Sequence, residues 1–224
     1  MHDHALEVSG QMVSTLIPRH GFYTQPHWPD GMSRTRRLAS AALELGLRAR
    51  LAVTGLWRGL QGTGIFGVGR LYATVVRGDG TVEHLGLLST RVVTDAGVAF
   101  FVDDWDVTTA SSTNDITTLK YHGVGTGAGA EAVGDTALGA ESTTALNPDS
   151  TRPTGTTSQP AANQLRSVAT VTFDASAAIT EHGLFSQAAV PGGTLWDRSQ
   201  FAAINVISGD AIQFTYTCTI SSGG

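Results

Sequence analysis

Apolar residues recur at helical spacing in two stretches of this chain and at strand spacing in many more. In SRTRRLASAALELGLRARL, Leu38, Ala41, Ala42 and Leu45 fall on one helical face behind Ser33, a residue suited to an N-cap, so a helix is expected over about Arg34 to Arg50. The period then changes. LYATVV and TVEHLGLL alternate around RGDG, where Asp-Gly supplies the tight reversal of a β-hairpin. In TDAGVAFFVDDW, Val98, Phe101, Val102 and Trp105 return to helical spacing, with Thr94 or Asp95 as the cap of a short amphipathic helix.

Further on, DITTLKYHGV reads as a strand, and the last third holds RSVATVTFDA, AITEHGLFSQ, QFAAINVI and AIQFTYTCTI, each bounded by Gly, Pro, Ser or Asp. Several strands separated by turns predict a mainly β fold, an antiparallel sandwich or barrel with one or two short helices. Two segments lack periodicity. Residues 1 to about 35 include IPRHGFYTQPHWPDG, whose three prolines block helix propagation and predict an extended arm. Exposed aromatics on a free arm are costly, so Phe22, Tyr23 and Trp28 are expected to lie against this domain or a neighbouring subunit. STTALNPDSTRPTGTTSQPAANQ is polar and proline-punctuated, and is expected to be a long surface excursion. The resulting division is 1–60 as arm and helix and 61–224 as a β-rich body.

Composition narrows the function classes. With 27 glycines and 15% charged residues in 224, a loop-rich globular fold is expected. Residues 1–60 carry seven arginines against four acids, +3, and residues 61–224 carry seven cations against fifteen acids, −8, making the net −5. An acidic body argues against nucleic-acid binding. The basic cluster Arg34, Arg36 and Arg37 is either a solvated helix start or a contact for a phosphate or partner. No apolar run is long enough for a membrane span, and the start lacks a secretory pattern, so a soluble chain made in the cytoplasm is expected. The lone Cys218 excludes an internal disulfide and a cysteine-cluster zinc site.

Candidate chemistry is sparse. Gly62 to Gly67 spell GxGxxG, but a strand leaves this motif where a dinucleotide site requires a helix, so a turn is expected. Tyr121 to Glu141 contains six glycines, yet it lacks the Lys-Ser/Thr of a phosphate loop, and Glu131, Asp135 and Glu141 oppose an anion; it reads as a solvated crossing between β segments. His122 and His182 sit in YHG and EHG and are expected to bond backbone or face a subunit contact. The HDH start is a weak metal ligand set at best. Glu181 and Asp197 are the carboxylates a glycosidase pair would need, with no spacing that fixes their separation. The RGD of residues 77–79 has a local reason in the hairpin turn. No cofactor or metal is called for.

LGLLSTRVVTDAGVAFFVDDW, LKYHGVGTGAGAEAVGDTALG, VATVTFDASAAITEHGLFSQ and GGTLWDRSQFAAINVISGDAIQFTYT, with a GTG loop, a TGT loop, ITEHGLF and LWDRS..F, resemble a family of tailed-bacteriophage virion structural proteins over about the last two thirds of the chain. The resemblance implies a non-enzymatic particle component on the virion. Its preferred placement is a head decoration or cement protein bound to the major capsid protein, self-associating as a trimer. Phe22, Tyr23, Trp28, Arg34, Arg36 and Arg37 are then the expected interface. A tail or neck component, a host-surface glycan-binding module using Trp105 or Trp196, and an envelope hydrolase using Glu181 or Asp197 are the alternatives.

Overall fold

The computed structural model describes residues 29, 31–58, 64–90, 93–105 and 115–223. It contains helix α1 (Arg34–Arg58), strands β1 (Gly64–Val76) and β2 (Val82–Ser89), helix α2 (Asp95–Trp105), β3 (Tyr121–Gly125), β4 (Thr156–Ala161), β5 (Gln164–Thr172), β6 (Ala177–Phe185), β7 (Leu195–Val206) and β8 (Ala211–Gly223). Two antiparallel sheets form, one ordered β2-β1-β8-β5-β4 and one ordered β3-β6-β7. The predicted mainly β architecture is what the chain adopts, as two sheets packed face to face.

Alternation explains the core. Leu71, Ala73 and Val75 on β1 and Ile212, Phe214, Tyr216 and Cys218 on β8 point inward, where they meet Val124, Ile179, Leu184, Ile204 and Val206 from the smaller sheet. Each fully buried large side chain contributes roughly 1.5–3 kcal/mol. The predicted hairpin joins β1 to β2 through residues 77–81, with Gly80 at φ +85 and the Thr81 amide donating to Asp79 Oδ1. Arg77, the first residue of RGD, binds Asp210 at 2.9 Å, so both charges of the tripeptide serve the turn region.

Both helices cover edge strands, and neither buries the face expected: α1 turns it outward, and α2 is rotated so that Phe101 meets the sheet while Val98 and Val102 do not. α1 extends to Arg58, well beyond the predicted end. Ser33 caps it, as expected, accepting from the Arg36 amide at 3.3 Å. Its predicted apolar face is outside: Leu38 is 65% exposed and Leu45 55%, with Ala41 and Ala42 also exposed. The buried face is Ser40, Glu44, Leu47 and Arg48. The reason lies in β2 and β1. Gly86 leaves room only for a close, small partner, since a Cβ there would come within 2.4 Å of Ser40 Oγ, and Ser40 Oγ accepts from the Leu87 amide at 2.9 Å. Arg70 then donates to both oxygens of Glu44, at 3.1 and 2.9 Å.

In α2, Thr94 is the cap, with Oγ1 accepting from the Gly97 amide at 3.0 Å while its own hydroxyl donates to Leu195 O. Phe100 is buried and Phe101 meets Trp196 at 6.4 Å between ring centroids. Val98 and Val102, expected on the buried stripe with Phe101, are 50% and 53% exposed. Gly97 fixes this rotation, because a Cβ there would lie 2.8 Å from Trp196 O.

Three other expectations are corrected. Gly64–Gly67 of the GxGxxG match are not a turn but the first residues of β1, paired to the end of β8. DITTLKYHGV is not one strand: Asp115 caps a single 3-10 turn at Ile116–Thr118, and β3 starts only at Tyr121. The polar excursion contains β4, whose residues are almost all exposed on both faces, so no alternation betrays it, and Pro160 is tolerated because β4 is an edge.

Candidate functional site

Of the expected interface residues, Phe22, Tyr23 and Trp28 lie outside the described residues. Arg34, Arg36 and Arg37 occupy the first turn of α1. Arg36 pairs with Glu83 at 3.2 Å, and Arg37 Nε donates to Met32 O at 3.0 Å, while Arg34 is exposed. A half-exposed pair such as Arg36–Glu83 is worth ~0–1 kcal/mol.

The chemistry-bearing residues gather on and under the smaller sheet. Residues alternate along β3, β6 and β7, so His122 and His182 point into the sandwich while Glu181 and Arg198 point to the outer face, which the segment 126–155 covers as an additional layer. Leu138 packs there with Phe185 and Leu195.

Glu181 is the centre of that layer. Its Oε1 accepts from the amides of Gly127 at 2.9 Å and Ala140 at 2.8 Å, and its Oε2 from Gly139 at 2.9 Å. Arg198 donates to Oε2 from Nε at 3.1 Å and Nη2 at 2.8 Å, and its Nη1 reaches Asp135 at 2.8 Å. Burial alone raises the Glu181 pKa; the amides and Arg198 outweigh it and hold the carboxyl below its ordinary range. The glycines permit the approach, since a Cβ at Gly125 or Gly127 would lie 2.5 or 2.4 Å from Glu181 Oε1. The glycine-rich crossing therefore does cradle an anion, and the anion is the chain's own carboxylate.

This corrects the picture of a solvated crossing. Asp135 serves Arg198, and Glu141 pairs with Arg152 through 2.6 and 2.9 Å contacts. Arg152 is 2% exposed, donates to the carbonyls of Gln187, Ala189 and Gly192, and lies 3.6 Å over the Phe185 ring. It pins the polar segment to the sheet.

Beneath the sheet, His122 Nδ1 meets His182 Nε2 at 2.9 Å, and His122 Nε2 meets Ser167 Oγ at 2.8 Å. The two histidines thus bond each other and a β5 serine, contrary to the expected backbone or subunit partners. His182 Nδ1 has no partner. A buried lone pair costs less than a buried unpaired N–H, which assigns the proton between the rings to His182 Nε2 and makes His122 Nε2–H the donor to Ser167. Burial pushes the His122 pKa down to about 3 and His182 well below its ordinary value, the latter also through His122. Gly155 closes the cluster: a Cβ there would stand 2.1 Å from Ser167 Oγ.

Asp197 is in a separate network, bonded by Ser199 at 3.2 Å and by Tyr216 at 3.4 Å, with Trp196 Nε1 donating to Tyr216 at 3.0 Å. Burial raises its pKa well above the ordinary value, and its hydroxyl partners offset this only in part. Glu181 and Asp197 face opposite sides of one sheet, so they do not form a glycosidase pair. Among the described residues, no group of three or more His, Cys, Asp or Glu is placed to hold a metal, and no helix is long and apolar enough to cross a membrane. Cys218 is buried in β8 with its thiol pKa pushed up to about 12 by burial and by Asp197.

Arg152, Ser167 and Tyr216 were not singled out in the sequence. Arg152 stands in an aperiodic polar run without any signal. The run Thr180, Glu181, His182 between Ile179 and Leu184 did carry one, because polar groups inside an apolar strand need internal partners. No family model matches the chain, and neither does any curated protein or solved structure.

Proposed function

We propose that this chain is a non-catalytic structural component of a tailed-bacteriophage virion, a head decoration protein that binds the major capsid protein and stabilises the shell. The observation that carries the reading is where the resemblance motifs sit. GTG contributes Gly125 and Gly127 to the Glu181 cradle, TGT contributes Gly155 against His122 and Ser167, ITEHGLF contributes Glu181 and His182, and LWDRS contributes Asp197, Arg198 and Ser199. Glu181, His122, His182 and Asp197 are each 0% exposed. Residues that lock two sheets and a loop layer together support a role in bearing load, and buried side chains bonded to one another offer a substrate no approach.

A decoration protein gains by repetition, each contact small and the sum large around a symmetric shell. Arg34, on the exposed face of α1, and the predicted arm with Phe22, Tyr23 and Trp28 belong to the capsid or neighbour contact in this reading. The copy number of the chain relative to the major capsid protein in purified particles, by quantitative peptide mass spectrometry, tests it. A ratio near one or a simple fraction of one is expected. A few copies per particle move the chain to the tail or neck, and its absence overturns the virion reading.

A further inference from the structure

Two exposed helical faces on this chain are both apolar at the centre and opposite in charge at the rim. On α1, Leu38, Ala41, Ala42, Leu45 and Ala49 form one open stripe, with Leu38 65% and Leu45 55% exposed and Arg34 and Arg37 at its start. The helix has six arginines, and its one acid, Glu44, is turned inward to Arg70. On α2, Asp95, Val98, Ala99, Val102 and Asp103 follow i, i+3, i+4, i+7, i+8 on the open side, and the helix has no basic residue. Val133 widens that patch: it is 56% exposed, and its carbonyl accepts from the Asp95 amide at 2.8 Å.

We propose that α1 of one copy docks on α2 of a second copy, leucines of the first against valines of the second, with Arg34 and Arg37 facing the acidic rim at Asp95. Complementarity selects this occupant. An α1–α1 pairing sets arginines against arginines and an α2–α2 pairing sets aspartates against aspartates, so both like pairings are opposed by charge. Within one chain α1 packs on β2 and α2 on β7, and Leu38, Leu45, Val98 and Val102 all remain exposed, so neither stripe covers the other. The junction joins two different surfaces, so it gives a reciprocal pair, a ring, or an open filament where the rotation does not close. The alanines allow the helices a close approach, and the rim charges make the contact sensitive to salt.

The inference stands on the two helices and not on the virion reading, and its test uses only the purified full chain, so either can fail alone. Sedimentation velocity is run from low micromolar to near-millimolar concentration on the wild type, on Leu38→Glu/Leu45→Glu, on Val98→Glu/Val102→Glu, and on an equimolar mixture of the two variants. All four substituted positions are exposed, and circular dichroism confirms that each variant is folded. The wild type is expected to self-associate, more weakly at high salt; each variant alone is expected to weaken association by at least about ten-fold. The mixture is expected to regain a one-to-one complex, because one intact α1 face meets one intact α2 face. A monomeric wild type throughout the range overturns the proposal, including the case in which the face is covered only after the capsid protein is added. So does a variant that still self-associates like the wild type, or a mixture that stays monomeric.

Discussion

The loop layer over the smaller sheet and helix α1 over the larger one depart from the usual inside-outside pattern in opposite directions. Under residues 126–155, charged groups are deep inside: Glu181 at 0% and Arg152 at 2% exposure. On α1, Leu38 and Leu45 are outside. In the first region Glu181 is met by backbone amides brought close by glycines and by the Arg198 guanidinium, and Arg152 is held in a fork by Glu141. In the second, the inward face is held by the tight contact of Gly86 with Ser40 and the buried ion pair of Glu44 with Arg70, leaving the apolar stripe for something else. The difference teaches that which side of an element is buried here follows from where glycines admit close approach, more than from hydrophobic spacing.

Breaking the first region is expected to have the largest effect. Glu181→Ala leaves Arg198 and three amides without their acceptor and should cost ~3–5 kcal/mol in urea unfolding. A loss below ~1 kcal/mol would show that water replaces the carboxylate and that the layer is not locked.

Gly86→Ala attacks the second region. The new methyl would meet Met32 Cε and Ser40 Oγ, and φ is +74 there, so about 1–3 kcal/mol is expected. Hydrogen exchange should show α1 losing protection while β5 and β8 keep theirs. Uniform loss would mean that α1 and the sandwich are one cooperative unit.

The pH dependence separates the regions further, since the strongest pKa shifts belong to the sandwich. His122 and His182 bind protons more weakly folded than unfolded, so their contribution is complete above about 6.5 and is lost as pH falls toward about 3. Each can remove up to ~1.4 kcal/mol per pH unit. Glu181, held low, adds a loss of the same sign, felt once pH falls below the ordinary carboxyl value. Asp197 acts oppositely: its pKa is raised, so its contribution is present at low pH and lost as pH rises through the folded value. Asp197→Asn is therefore expected to gain on the order of 1 kcal/mol at neutral pH, and because that variant lacks the opposing Asp197 contribution, an unfolding midpoint of Asp197→Asn that stays flat between neutral and mildly acid pH would remove the histidine argument.

The smallest effect is on the open helix face. Gly46 lies mid-helix with open space where a Cβ would be, so Gly46→Ala should stabilise by roughly 0.5–1 kcal/mol. Destabilisation instead would place a neighbour against it.

The β fold, the RGDG hairpin, the Thr94 and Ser33 caps and most late strands were legible in the sequence, because alternation and turn residues act locally. The helix facings were not, since Gly86 and Gly97 decide them from distant positions. β4 was hidden because an edge strand exposed on both faces has no period. The Glu181 cradle was not legible: the glycines read as a solvated crossing, because the anion they hold is a carboxylate 42 residues from Gly139. Arg152 had no local signal at all.

Equilibrium urea unfolding of Leu38→Glu/Leu45→Glu beside Glu181→Ala tests the comparison most directly, at protein concentrations low enough that association adds nothing. The expected result is a double variant within ~0.5 kcal/mol of wild type and a Glu181→Ala chain ~3–5 kcal/mol weaker. A double variant that loses as much as Glu181→Ala would show that the α1 stripe is part of the folded core, and would contradict both the comparison and the surface assigned to it.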